Sequence, residues 1–353
     1  EIYIGTMYGA PIGVYSTVTG EYVRGISSNF QTDSMLVYNG KMYAGEYTSC
    51  CITRLDDGQA TMLFQLNDDN FNQARIHKLA AGDDKIFAGT VPDIYRHGGV
   101  IVWYDMETEL TYVVTGPKPE DVYYAKASQI MATREWYRVT NDELVDFTKE
   151  WDADQDGNGV KESFLGFIPT QSIVDLYYKD GLLYGTSIVE GGSSTTNPSE
   201  TSAQIFIYDV ENFMLVKTID IRDYFTGFPK RIACIDAIAP DPDISNKHWL
   251  LISETLFSMT YDVDTGKVSF KKELSFDMDT INEAKAWFAK SFVFDGDYIY
   301  VPFEKKGGLC KVNRYDTSDY TQVMSNFESI DQIPRTLLMA EDGNIYYIKS
   351  VSF

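Results

Sequence analysis

The run Asp152-Ala-Asp154-Gln-Asp156-Gly-Asn158-Gly-Val160-Lys-Glu162 is the strongest chemical motif in the chain. Oxygen ligands at alternate positions, with glycine at the sharp turn, let a loop wrap a cation of calcium size. Two registers fit. Counted from Asp154, the donors are Asp154, Asp156, Asn158, the Val160 carbonyl and Glu162, with Gly159 at the turn. Counted from Asp152, they are Asp152, Asp154, Asp156 and the Asn158 carbonyl, with Gly157 at the turn. The first is preferred, because Glu162 then takes the ninth position. Neither register offers a glutamate at the twelfth, where Leu165 or Ser163 stands. The expected affinity is therefore of the weak extracellular class, on the order of 10⁻⁴ M or weaker. A solvated acidic turn is the alternative.

A second set of groups concerns anionic ligands. Arg75, His77, Lys230, Arg231, Lys285 and Arg335 stand where innermost strands of a repeat are expected to begin, and Gln171 takes the equivalent place after residue 170. If the cations converge, their guanidinium groups suit bidentate capture of a carboxylate, such as that of a uronate sugar. Capping of strand ends and pairing with neighbouring acids are the alternative. Tyr8, Tyr47 and Tyr95 belong to loops expected on the same side and offer rings for stacking on sugars. A lyase acting on a uronate polymer needs carboxylate neutralisation and a base for a carbon-bound proton. Arg75, Arg231 and Arg335 would neutralise, with His77, His97 or Tyr95 as the base. His248 is expected to lie apart. No Gly-x-Ser-x-Gly elbow and no Walker loop is present, which excludes serine-hydrolase and P-loop chemistry.

The elements that position these groups follow a repeat. A short apolar strand, an Asp-Gly or Asn-Gly turn and a second strand occur in Met35-Leu-Val-Tyr-Asn-Gly-Lys-Met-Tyr-Ala-Gly-Glu, and return from Lys78, Val174, Ser291 and Leu337. A third strand then ends in Tyr-Asp, as in Val100-Ile-Val-Trp-Tyr-Asp and Gln204-Ile-Phe-Ile-Tyr-Asp. Such turns specify tight hairpins, because Asn, Asp and Gly tolerate positive φ. Four-stranded units near 40 residues long predict the blades of a β-propeller. Second strands near Ile2, Met42, Ile86, Leu183, Leu250, Ile299 and Ile345 predict seven blades, with six or eight as alternatives. The first and last copies are incomplete. Residues 1–353 are read as one all-β domain.

Between Gly116 and Thr170 the rhythm stops, so 117–170 reads as an insertion. Thr140-Asn-Asp-Glu143 has the form of a capping box, and Leu144, Phe147 and Trp151 then fall on one face of a short helix leading into the acidic loop.

The Tyr261-Asp-Val-Asp-Thr-Gly-Lys punctuation resembles the repeats of bacterial propellers of the YVTN and quinoprotein-like class. Ala81-Gly-Asp-Asp-Lys-Ile-Phe-Ala-Gly-Thr-Val-Pro-Asp and the stretch from Gln171 to Gly192 resemble secreted bacterial propellers linked to polysaccharide processing. The acidic loop is similar to the calcium loops of EF-hands, dockerins and bacterial solute-binding proteins. The resemblance implies a propeller fold, a calcium ion and an extracellular or cell-surface location. The tryptophan docking repeat of quinoproteins is absent, which speaks against a quinone cofactor.

Composition agrees with a sheet protein. Aromatics reach 14%, and the net charge of −22 excludes a phosphate-backbone interface, which needs a basic face. No stretch approaches the ~18 apolar residues of a membrane helix, and the chain as it stands opens without a signal peptide. Adjacent Cys50 and Cys51 allow a strained vicinal disulfide or two reduced thiols pointing opposite ways. Cys234 and Cys310 read as core fillers. The leading function is calcium-stabilised recognition of a carbohydrate, including an acidic glycan. A polysaccharide lyase and an adhesion module without a small ligand are the alternatives.

Overall fold

A computed structural model of the chain describes residues 1–5, 11–27, 30–56, 59–68, 70–93, 98–127, 133–147, 166–189, 201–225, 231–277, 290–303, 306–324, 334–340 and 342–349. The fold is an all-β propeller with seven antiparallel sheets among these residues. The first sheet holds Ile2–Ile4, Ile12–Tyr15 and Tyr22–Ile26. The second holds Gln31–Tyr38, Lys41–Tyr47, Cys51–Asp56 and Gln59–Gln65. The third runs through Gln73–Gly82, Lys85–Pro92, Ile101–Asp105, Leu110–Val114, Val122–Lys126 and Tyr137–Arg138. The fourth comprises Ser172–Lys179, Leu182–Ile188, Ile205–Asp209 and Met214–Ile219. The fifth comprises Ala237–Pro240, Lys247–Ile252, Glu254–Asp262 and Lys267–Asp277, and the sixth Val293–Asp295, Tyr298–Pro302, Leu309–Asn313 and Tyr320–Met324. Pro334–Met339 and Ile345–Lys349 form the seventh. Strands follow chain order across every sheet, so each is a meander.

The propeller has six blades, not seven. The seven-blade count gives each end of the chain a blade of its own, yet the end sheets hold three and two strands, no more than one blade's complement and a strand. A periodicity search counts second strands and does not see that a terminal copy lacks partners.

Local chemistry explains the repeat. The first hairpin turns place Asn39 and Gly40, Asp83 and Asp84, and Asp180 and Gly181 at positive φ, the geometry whose twist matches paired strands. The Tyr-Asp punctuation closes the third strand with an Asx turn. Asp105 accepts from the Glu107 and Thr108 N–H groups at 3.0 and 2.9 Å, and Asp209 accepts from Asn212 N–H at 2.9 Å. The glycine in the second strand makes room for the next sheet. A Cβ on Gly45 would collide with Ile76, and one on Gly89 with Ile173.

The described residues divide into two compact units, one from Glu1–Tyr184 and Ile207–Lys217, the other from Gly185–Val189, Pro198–Phe206 and Thr218–Phe353. In the first, Phe64, Phe71, Leu79, Ile86, Val102 and Trp136 share one core. In the second, Trp249, Leu256, Ile299, Phe303 and Val312 share another. That second unit also buries Arg314, which pairs with Asp241 at 2.7 Å and Asp243 at 2.5 Å, while the Trp249 indole N–H donates to Asp241 at 2.9 Å.

The described start of the insertion differs from the expected helix. Its first part adds Val122–Lys126 and Tyr137–Arg138 to the third sheet, which thereby reaches six strands. Thr140–Glu143 is a turn and not a capping box. The Arg138 N–H donates to the Glu143 carbonyl, the Val145 N–H to the Trp136 carbonyl, and Asn141 Oδ1 takes the Glu143 N–H at 3.2 Å. Leu144 bridges Tyr137 and is 58% exposed, so it supplies no helical face. Phe147, the last described residue of this stretch, packs its ring at 5.4 Å from Phe71 and 5.2 Å from Tyr123. Trp151 lies outside the described residues. No helix among those residues is long and apolar enough to cross a membrane.

Candidate functional site

The first strands of the second, third and fourth sheets place the cations of the opening unit. Arg75 Nε lies 2.8 Å from Asp33 Oδ2, linking the third sheet to the second. Its guanidinium carbon sits 4.2 Å from the centroid of the Tyr47 ring. The Asp33 side chain is only 2% exposed. Burial pushes its carboxyl up, and Arg75 and the Gln31 amide offset that push only in part. Lys78 in turn reaches Asp175 of the fourth sheet at 3.0 Å. Both cations therefore bridge neighbouring sheets through buried acids.

His77 is 6% exposed. Burial lowers its pKa to about 3, with help from the adjacent Arg75 charge and against a hydrogen bond to the Ile173 backbone. The imidazole is neutral and walled off. Gln171 is buried as well, its carbonyl accepting from Gly99 N–H and its own N–H donating to Ile168. Arg231 is half-buried in the other unit. The Arg335 side chain, Tyr8, Tyr95, His97, Lys230, Lys285 and all six proposed metal ligands (Asp152, Asp154, Asp156, Asn158, Val160, Glu162) lie outside the described residues. Of the expected ligand groups, Arg75, Tyr47 and His77 are brought together.

Cys50 and Cys51 are both free thiols and both buried. Neither points outward, unlike the strand alternation expected from sequence, because Cys50 takes a left-handed φ of 45° before the strand begins. Cys51 donates to the buried Glu46 carboxylate at 2.9 Å, which also accepts from Thr53 at 2.8 Å. Burial raises both thiols, Glu46 raises Cys51 further, and neither is a nucleophile at neutral pH. Cys310 is pushed up to about 12 by burial and by Glu254.

At the opposite, hairpin end of the third sheet lies a cleft of about 340 Å³ within the same unit. Trp103, Tyr112, Tyr178 and Phe213 line it, with Asp83, Asp105, Glu211 and Lys85. Cross-strand register makes this wall: Trp103 stands opposite Phe87 and Tyr112, and Tyr112 opposite Tyr124. Trp103 stacks on Tyr112 at 5.1 Å and 13°. Phe213, held at φ 53° in the last turn of the fourth sheet, lies against both at 6.0 and 5.8 Å. Tyr178 stacks on Phe87 at 4.9 Å and gives its hydroxyl to Asp83 at 2.5 Å.

Charge in the cleft is lopsided. Lys85 donates to the Asp83 carbonyl at 3.1 Å and lies 3.5 Å from Asp105, so its charge is engaged. Burial would raise the Asp105 carboxyl, but hydrogen bonds from Thr108, the Lys85 charge and the Glu107 N–H outweigh it and hold the group below its ordinary value. The half-buried rings of Tyr112, Tyr178 and Phe213 can stack on a flat, partly apolar ligand while the carboxylates beside them accept its hydroxyl or ammonium hydrogens.

The sequence reading missed this cleft because its residues look like ordinary repeat positions. The available signals were the Asp83-Asp84 pair where other copies carry glycine, and the tryptophan before Tyr104-Asp105.

No known protein family and no curated protein matches the sequence. Many solved structures resemble the fold, among them two over nearly the whole chain. Sqt1 of Saccharomyces cerevisiae is 8% identical, covering 99% of this chain and 90% of its own, with a TM-score of 0.52. Apo AztD of Citrobacter koseri is 10% identical, covering 98% of this chain and 88% of its own, with a TM-score of 0.50. At such identities the likeness shows the propeller and nothing finer.

Proposed function

We propose that the protein is a carbohydrate-recognising propeller and that the sugar binds against Tyr112, Phe213 and Tyr178, with the buried Trp103 as the support behind them. The observation that carries this reading is the cleft's lining, four aromatic rings beside three carboxylates and a lysine in about 340 Å³. Its volume falls within the range of small-ligand sites, roughly 300–1,000 Å³. Rings supply stacking area at low conformational cost, and carboxylates accept from the hydroxyls that a pyranose presents along its edge.

The described residues lend a uronate lyase no support. Arg75 already holds the Asp33 carboxylate, and His77 is buried away from any substrate. Recognition without turnover is the function proposed. An extracellular location and a structural calcium ion on Asp152–Glu162 complete the proposal, on the strength of the sequence alone.

Titration calorimetry against neutral, amino and uronate oligosaccharides tests it, with Phe213→Ala as the control. Saturable binding that Phe213→Ala weakens at least tenfold is the expected result. Binding to no saccharide class, or binding that the substitution leaves intact, overturns the assignment of the cleft. Calcium binding is checked separately, as heat of titration and a calcium-dependent rise in Tm.

A further inference from the structure

We infer that the cleft selects a saccharide bearing free amino groups over one bearing carboxylates, a substrate class opposite to the acidic glycan expected from sequence. The inference rests on the reading of the cleft as a sugar site and adds the charge of the sugar. Its basis is what each ionisable group lining the cleft is already doing. Asp83 receives the Tyr178 hydroxyl at 2.5 Å. Asp105 uses Oδ1 on two backbone N–H groups of its own turn and turns Oδ2 toward Lys85 at 3.5 Å. Glu211 is exposed at the mouth of the cleft. Among the described residues Lys85 is the single cation of the lining, and its hydrogen bond goes to the backbone of Asp83. Three carboxylates thus face one lysine, leaving the cleft net negative.

An incoming uronate meets that field as a like charge, with no guanidinium among the described lining residues to pair it. An ammonium meets the reverse. It gains the exposed Asp83 and Glu211 carboxylates and the electron-rich faces of Tyr112 and Phe213, two attractions that strengthen as water is displaced. A neutral or N-acetylated sugar keeps the stacking and loses the ionic term. The geometry therefore predicts an order: amine-bearing sugar first, neutral sugar second, uronate last. For a half-exposed site the first step is about five- to tenfold, and it shrinks as salt screens the charges.

The test compares oligomers of glucosamine, N-acetylglucosamine and glucuronate of equal length, titrated into the intact protein at low and at physiological ionic strength. Two variants accompany it. Glu211→Lys reverses one exposed charge without touching the packed rings, and Phe213→Ala removes a ring without touching charge. The expected result is a five- to tenfold preference for the glucosamine oligomer that falls with salt and is abolished or inverted by Glu211→Lys. Equal affinity for all three oligomers, or a preference indifferent to Glu211→Lys, overturns the inference while leaving the sugar site standing. Failure of every oligomer to bind, or binding unmoved by Phe213→Ala, removes the sugar site itself.

Discussion

The third sheet carries polar chemistry at both ends and treats it in opposite ways. At the start of its first strand, Arg75 and Lys78 are tied to Asp33 and Asp175 of adjacent sheets, and His77 is sealed in its neutral form. At the hairpin end, Asp83, Asp105 and Glu211 border an open cleft with a single engaged lysine among them. Charge that is paired and buried joins sheet to sheet, and charge that is left in excess beside half-buried rings is available to a ligand. The same residue types therefore report structure at one end and recognition at the other.

The comparison breaks most visibly if the cleft wall is removed. Trp103 is 1% exposed and contacts Phe87, Tyr112, Tyr208 and Phe213. Trp103→Ala is expected to cost about 3–5 kcal/mol in chemical denaturation, with loss of ligand binding. A cost below about 1 kcal/mol would show that the ring is not part of the core.

The paired end should respond asymmetrically. Arg75→Ala leaves Asp33 buried without its cation and is expected to cost about 3 kcal/mol. Asp33→Asn leaves an arginine whose side chain is 17% exposed and can rehydrate, so its cost should be smaller. Equal costs in urea melts would contradict the burial difference.

His77 gives the paired end a pH signature. Its folded pKa, about 3, lies below the ordinary 6.5. Between these values the unfolded chain takes up a proton that the folded one refuses. Stability from this group is therefore complete above pH 6.5 and is lost as pH falls toward 3, by up to ~1.4 kcal/mol per pH unit. His77→Gln should flatten that part of the stability–pH curve, whatever its effect at neutral pH. An unchanged slope in denaturation series between pH 4 and 6 would show that His77 titrates freely.

The smallest effect on folding belongs to the open end. Glu211→Gln is expected to change stability by less than about 0.5 kcal/mol, as exposed substitutions do, while still lowering affinity for an amine-bearing sugar severalfold. Calorimetry and a melting curve on one preparation separate the two quantities.

Much of the fold could be read from residues alone, because its cues are local. Asn39-Gly40, Asp180-Gly181 and the Tyr-Asp strand ends state their turns within a few positions. The blade count was over-read by one where terminal copies lack partners. Thr140–Glu143 was misread because a capping box and a β-turn share the same residue types, and only the Trp136–Val145 and Arg138–Glu143 hydrogen bonds distinguish them. The cleft was invisible because Trp103, Tyr112, Tyr178 and Phe213 come from two sheets and meet only through cross-strand register and sheet packing. That Arg75 pairs with a neighbouring acid was one of the two readings its sequence position allowed, but the identity of that acid, Asp33 of another sheet, was hidden for the same reason.

The row of rings that crosses the third sheet has an optical consequence. Tyr178, Phe87, Trp103, Tyr112, Tyr124 and Tyr137 follow one another at centroid spacings of 4.9, 6.0, 5.1, 5.9 and 5.5 Å. Excitation absorbed by any tyrosine in the row passes by dipole coupling to the single indole it contains. Trp103 thus acts as the emitter for the whole column, and Phe213 rests on its face. A ligand that displaces Phe213 alters the surroundings of that indole, and the difference in emission between the protein and a Trp103→Phe variant, which keeps the other four tryptophans, reads the change.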